Sequence, residues 1–137
     1  MGTQYFSEKS NLNKIIKDGY IKEKMIKIDS DLDIDFSILP DNQDLLEKDS
    51  SQKKLFSCIH ECLNNNGIKS GYTLGHLGGN EEYSLFKKSG YWIVAFSERG
   101  RHDAIAVFMD FHDATEFFLG KMLDLSNKYF DWEKVFN

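Results

Sequence analysis

The stretch from Tyr91 to Leu125 most constrains the fold, because it contains several elements with almost no linker between them. It reads YWIVAFSERGRHDAIAVFMDFHDATEFFLGKMLDL. Two apolar segments, Tyr91–Ser97 and Ala104–Met109, flank a charged turn, and this spacing predicts a β-hairpin. Asp110 then precedes a segment in which apolar residues recur every three or four positions, the pattern of an amphipathic helix. A compact β-β-α unit is therefore expected here.

Hydrophobic patterning outside this stretch predicts further elements. The strongest is a helix over Ser51–Asn65, whose apolar residues recur at helical spacing. The side chains expected on its apolar face are Leu55, Ile59, Cys62 and Leu63. Weaker helices are predicted over Asn11–Lys17 and Asp41–Asp49, strands over Tyr72–Leu74 and Glu82–Lys87, and an alternating, strand-like segment over Asp29–Phe36.

Together these elements predict an α+β fold, with N-terminal helices, an antiparallel sheet of about three to five strands and a C-terminal helix packed on the sheet. The length of 137 residues predicts a single domain over residues 1–137. Ala104–Met109 is apolar throughout, which fits either a central strand or an edge strand. The aromatic end segment, Tyr129–Phe136, could fold back on the core or mediate dimerisation.

The sequence shows no sign of export or membrane insertion. No run approaches the ~18 apolar residues of a membrane span, and the N-terminus lacks the apolar region of a signal peptide. Cys58 and Cys62 lie four residues apart on one predicted helix, a geometry that does not suit a disulfide. Free thiols without an export signal predict a cytoplasmic protein.

The net charge of −5 is concentrated in one segment. Residues 29–49 contain eight acids and one lysine, a net charge of −7, whereas the remaining residues contain 14 acids and 16 bases and sum to +2. A concentrated acidic segment can steer association with a basic partner, and it argues against direct nucleic-acid binding, which needs clustered cations. The acids that we expect to form a binding surface are Asp31, Asp33, Asp35, Asp41, Asp44 and Glu47.

Two patterns resemble metal sites but lack necessary residues. The aspartates from Asp29 onward imitate the start of a calcium loop, but Ile34 stands where that loop needs glycine and Pro40 where it needs glutamate. Cys58, His60 and Cys62 resemble zinc ligands, yet on a helix the histidine points away from both cysteines. We therefore expect no metal site and no cofactor.

The glycine-rich segment from Gly71 to Gly79 resembles a phosphate-binding loop only in composition. No Lys-Ser/Thr pair follows it, and no strong strand precedes it. The segment predicts a tight connection with close backbone packing instead.

The hairpin tip, residues 98–103, is the densest charged cluster outside the acidic segment. It could be a polar turn held by Glu–Arg pairs, a partner contact, or a catalytic cluster in which arginine and histidine act on phosphate. Consecutive residues of a hairpin alternate across the strands and do not converge on one reacting atom. We therefore expect binding rather than catalysis, through Glu98, Arg99 and Arg101.

A series of short motifs over about residues 72–125 resembles a family of small bacterial immunity proteins from polymorphic-toxin and contact-dependent growth-inhibition systems. The matching residues are Tyr72-Thr73-Leu74-Gly75, Trp92-Ile93-Val94, Ser97-Glu98-Arg99-Gly100, Phe108, and Ala114 with Phe117-Phe118-Leu119. The chain departs from the pattern where His76 and Leu77 separate Leu74-Gly75 from the next glycines. Residues before Tyr72 match no motif of the family.

The resemblance implies a non-catalytic inhibitor that binds a cognate toxin domain in the cytosol and blocks its active site. Many toxins of this kind are nucleases, whose substrate clefts must be basic, so the acidic segment would suit such a target. Two other hypotheses remain at this point. The chain could be a small regulatory binding module, or a small hydrolase or ribonuclease that uses the hairpin tip.

Overall fold

A computed structural model describes residues 24–26, 50–123 and 130–136. Its elements are helix α1 (Ser50–Asn65), strands β1 (Tyr72–Leu74), β2 (Glu82–Lys88), β3 (Tyr91–Glu98) and β4 (Arg101–Phe108), and helices α2 (Phe111–Met122) and α3 (Trp132–Phe136). The helices predicted over 11–17 and 41–49 and the alternating segment 29–36 lie outside the described residues. Within those residues, no helix is long and apolar enough to span a membrane.

Helix α1 forms where the apolar periodicity predicted it, beginning one residue earlier. Leu55, Ile59 and Leu63, spaced four apart, are buried against the core. The helix ends in a Schellman motif, in which the amide of Ile68 donates to the carbonyl of Leu63 at 2.9 Å and Gly67 has a φ of +84°. The predicted boundary at Gly67 is therefore confirmed.

The four strands form one sheet in the order β1-β2-β3-β4. Strands β2, β3 and β4 are antiparallel, as predicted, whereas β1 pairs with β2 in parallel. The connection 75–81 must return the chain from the end of β1 to the start of the parallel strand β2 within seven residues, and Gly78 allows the close backbone approach that this needs. A Cβ on Gly78 would lie 2.9 Å from the Cβ of Glu82, so the backbone approaches here as closely as the glycine-rich sequence predicted.

Strand β4 is the last strand in the described sheet rather than a central one, yet Ala106, Val107 and Phe108 are buried, on both of its faces. Trp92 and Val94 of β3, with Phe108 of β4, face the helices, whereas Ile93 and Val107 face the opposite side. A bulge at Ile105 separates the pairs Val94–Ala106 and Ala95–Ala104. The amide of residue 26 donates to the carbonyl of Val107 at 2.7 Å, so part of the N-terminal region lies along the outer edge of β4.

The C-terminal elements close the core over one face of the sheet. Helix α2 packs on β2, β3 and β4, as predicted, and Asp110 caps its N-terminus by accepting from the amide of His112 at 2.8 Å. Phe130 and Trp132 are 2 % and 4 % exposed. The end segment therefore folds back on the core, the first of the two alternatives that the sequence left open.

Candidate protein-binding surface

Of the two candidate surfaces predicted from the sequence, the structure describes only the hairpin tip. The acidic residues Asp31, Asp33, Asp35, Asp41, Asp44 and Glu47 lie outside the described residues, so their arrangement stays a prediction. Glu98, Arg99 and Arg101 lie together at the tip of the β3–β4 hairpin, and all three are exposed.

The hairpin tip has a defined backbone geometry. Glu98 pairs with Arg101, and the two residues between them form the turn. Arg99 and Gly100 both have positive φ values, +51° and +78°, as a type I′ turn requires. Glycine adopts this conformation freely, whereas arginine does so at a cost, because its Cβ crowds the following carbonyl.

A neighbouring connection holds the tip in place. The amide of Arg99 donates to Oδ1 of Asn80 at 2.9 Å, which joins the turn to the connection 75–81. That connection is itself fixed, since the amide of Gly79 donates to Oε1 of Glu82 at 2.5 Å and Thr73 Oγ1 donates to the same oxygen at 3.3 Å. The charged side chains therefore project from a turn that is anchored to a fixed connection through Asn80.

The charged side chains of the tip are not paired with one another. Within the described part of the chain, Glu98, Arg99 and Arg101 make no ion pair and no side-chain hydrogen bond. The alternative of a turn held by Glu–Arg pairs is therefore not what the structure shows. A partner that bound these side chains would not first have to break contacts with other residues that the structure describes.

Sequence reasoning missed a serine–histidine contact beside the tip. Ser97 and His102 are cross-strand partners, and Ser97 Oγ lies 2.6 Å from Nδ1 of His102. The two-residue turn fixes this register, so the contact could have been deduced from the hairpin itself. Ser97 is 0 % exposed, and a substrate therefore has no direct access to its hydroxyl in this conformation.

The cysteines of α1 are separated from His60, as predicted. Nδ1 of His60 lies 2.6 Å from the hydroxyl oxygen of Tyr72, whereas Cys58 and Cys62 line a cleft beside Phe130. Both cysteines are free thiols. Burial is the main cause that raises the pKa of the Cys58 thiol, which disfavours the reactive thiolate.

A second feature that sequence reasoning missed lies on α2, where His112, Asp113 and Glu116 bring their ligand-type atoms within 4.8 Å of one another. Burial, followed by the charges of Asp113 and Asp110, raises the pKa of Glu116 to about 7. Burial also lowers the pKa of His112. The sequence signal was present as histidine, aspartate and glutamate at positions i, i+1 and i+4 of a predicted helix, a spacing that places the first and last on one face.

Comparison with known proteins identifies no relative, since no family model, no curated protein and no solved structure matches the chain. Functional inference therefore depends on the motifs, the charge distribution and the geometry described above.

Proposed function

We propose that this protein is a cytosolic immunity protein that binds a cognate toxin domain and blocks its active site. The observation that carries the proposal is the hairpin tip, where three exposed charged side chains, without partners among the described residues, project from an anchored type I′ turn. The proposed partner is a protein toxin with a basic cleft, in keeping with the net charge of −7 over residues 29–49.

The motifs that resemble the immunity family divide into two physical groups. Trp92, Val94, Phe108 and Phe118 are buried, so their presence in the motifs is explained by packing. Glu98 and Arg99 are exposed, and packing does not account for their side chains. This division supports a role for the tip in binding, because an exposed charge that the fold does not need is a candidate contact.

The rival hydrolase hypothesis would need a reacting group within reach of a substrate. At the tip the buried Ser97 hydroxyl does not offer one, and the exposed charges alternate across the hairpin. The rival regulatory module is separated from the proposal by genetic context, because an immunity protein needs a toxin encoded beside it. The reading frame immediately upstream of this gene is the partner to test.

Replacement of Arg99 by asparagine separates binding from turn formation. Asn-Gly is a favoured type I′ sequence, so Arg99→Asn should raise the free energy of unfolding by about 0.5 kcal/mol while removing the charge. We expect this stable variant to protect less well against the co-expressed upstream protein, as scored by growth. Its matched control is Ser89→Asn in the β2–β3 turn, where Ser89 has a φ of +52° and also precedes a glycine.

Full protection by a folded Arg99→Asn variant would show that the side chain only served the turn.

A swap of charges provides a second test of the same surface. Glu98→Arg combined with Arg101→Glu keeps the net charge and leaves opposite charges across from each other. We expect the swap to abolish co-purification of the upstream protein without changing the unfolding midpoint.

The acidic segment is tested separately from the tip. Reversal of Asp31, Asp33 and Asp35 to lysine changes the local charge by six units and should slow association with a basic toxin by at least about tenfold at low salt. Surface plasmon resonance at two ionic strengths would measure the effect. A folded triple variant that associates and protects like the wild type would exclude the acidic face, although inhibition through the hairpin tip would stand.

A further inference from the structure

The cluster on α2 has the composition and spacing of a divalent-metal site. His112, Asp113 and Glu116 each offer one donor atom, and these atoms all lie within 4.8 Å of one another. Three atoms so spaced fit around a common point about 2.8 Å from each (4.8 Å divided by √3), compared with bonds of ~2.0–2.2 Å in zinc sites. Small rotamer changes would therefore bring all three into bonding distance.

The buried carboxylate of Glu116 is an independent indication of a ligand. Its side chain is 10 % exposed, and Nδ1 of His112 lies 3.8 Å from Oε1, which is too far for a hydrogen bond. In the described part of the chain, no donor contacts the Glu116 carboxylate within hydrogen-bonding distance. A largely buried carboxylate without protein donors is stabilised by a cation beside it.

The surrounding charges favour a cation at this position. The N-cap residue Asp110, and Asp113 in the first turn, add two carboxylates beside Glu116 at this end of α2. The ring of His112 is half-buried, and a neutral imidazole can offer a ring nitrogen to a metal ion. The positive charge of Lys24 interacts electrostatically with Asp113 rather than with Glu116.

Helix α3 fixes the orientation of the imidazole. The ring of Trp132 stacks on His112 with the ring centres 3.9 Å apart and an angle of 13° between the planes. Trp132 is itself buried against Phe130 and Phe111. Contacts of this kind hold a ligand in position before a metal binds, and they reduce the ordering that binding requires.

We propose that His112, Asp113 and Glu116 bind a divalent transition metal of the zinc type, with water completing the coordination. An imidazole with two carboxylates suits Zn²⁺, Co²⁺ or Mn²⁺, whereas Ca²⁺ prefers six to eight oxygen ligands. The ion would lie on α2 beside the end segment, because Trp132 stacks on its ligand His112. This inference is independent of the proposed toxin binding, and it differs from the absence of a metal site that the motifs alone predicted.

Titration of the chelator-treated full-length protein with ZnCl2 by calorimetry tests the proposal. We expect one equivalent to bind with a dissociation constant on the order of micromolar, and CaCl2 to bind far more weakly. Asp113→Asn and Glu116→Gln should each weaken Zn²⁺ binding by roughly tenfold or more. CoCl2 should give visible absorption bands that both variants lose.

Matched controls distinguish this site from other histidines. His60→Ala and His76→Ala remove imidazoles elsewhere in the fold, and both should bind Zn²⁺ like the wild type. Asp113 is half-buried, so its variant should fold even if Glu116→Gln does not. Absence of Zn²⁺ binding below about 100 µM, or equal binding by Asp113→Asn, would overturn the proposal.

Discussion

Replacement of Phe118 by alanine is expected to lower the free energy of unfolding by about 3–5 kcal/mol, a large part of the total for a domain of this size. Phe118 is 0 % exposed, and it lies on the face of α2 that packs on the sheet. Its ring contacts Tyr72 of β1 in an edge-to-face arrangement, with the centres 6.3 Å apart. The substitution would leave a cavity between α2 and the sheet that the rigid strands cannot fill.

The neighbouring Phe117 provides the matched control. It is half-buried, its ring packs on Phe108 with the centres 5.7 Å apart, and Lys121 covers it from the solvent side. We expect Phe117→Ala to cost about 1–2 kcal/mol, because the exposed part of the ring loses little on removal. Urea unfolding of both variants measures the difference. Equal losses would contradict the burial pattern of α2 and hence its packing on the sheet.

The second large effect is a pH dependence that arises from Glu116. Burial and the charges of Asp113 and Asp110 raise its pKa in the folded state from 4.5 to about 7. Between these values the folded state binds more protons than the unfolded state, so stability falls as the pH rises. After an allowance for solvent screening, the loss between pH 4.5 and pH 8 should be about 2 kcal/mol for the metal-free protein.

Other groups near Glu116 titrate too, and the neutral variant isolates its contribution. The raised pKa of Asp113 acts in the same direction, whereas the lowered pKa of His112 acts in the opposite one. Lys24 acts through Asp113. We therefore expect Glu116→Gln to match the wild type near pH 5 and to exceed its stability by about 2 kcal/mol at pH 8, in urea titrations with chelator. A constant difference across this range would exclude a raised pKa for Glu116.

Much of the fold could be predicted from the sequence, because local patterns determine these elements. The spacing of Leu55, Ile59 and Leu63 predicted α1, and the two residue-glycine turns, Ser89-Gly90 and Arg99-Gly100, fixed two hairpins. Asp110 predicted the start of α2 through its capping role. The α+β class followed from the order of these elements.

Contacts between parts of the chain that are distant in sequence could not be predicted from local patterns. Nothing local indicates that β1 pairs in parallel with β2, because three residues carry no signal of direction. The stacking of Trp132 on His112 joins segments twenty residues apart, and only the folded core brings them together. The lack of ion pairs at the hairpin tip, among the residues that the structure describes, likewise depends on geometry rather than composition.

The candidate binding surface was predicted in part. The sequence placed Glu98, Arg99 and Arg101 at a turn, and the structure confirms that position and shows that their side chains are exposed. It also adds Asn80 as the residue that anchors the turn, which no motif indicated. The cluster on α2 was not predicted from the sequence, because His112, Asp113 and Glu116 match no standard ligand motif. The burial of Glu116 can be seen only in the folded chain.

Co-expression of this protein with the reading frame immediately upstream of its gene tests the central claim most directly. The readouts are growth and affinity co-purification, with the upstream protein expressed alone as the reference. The proposed function predicts that the upstream protein arrests growth alone, and that co-expression restores growth and yields a stable complex. An upstream product that is harmless, or one that stays toxic and unbound in the presence of this protein, would contradict it.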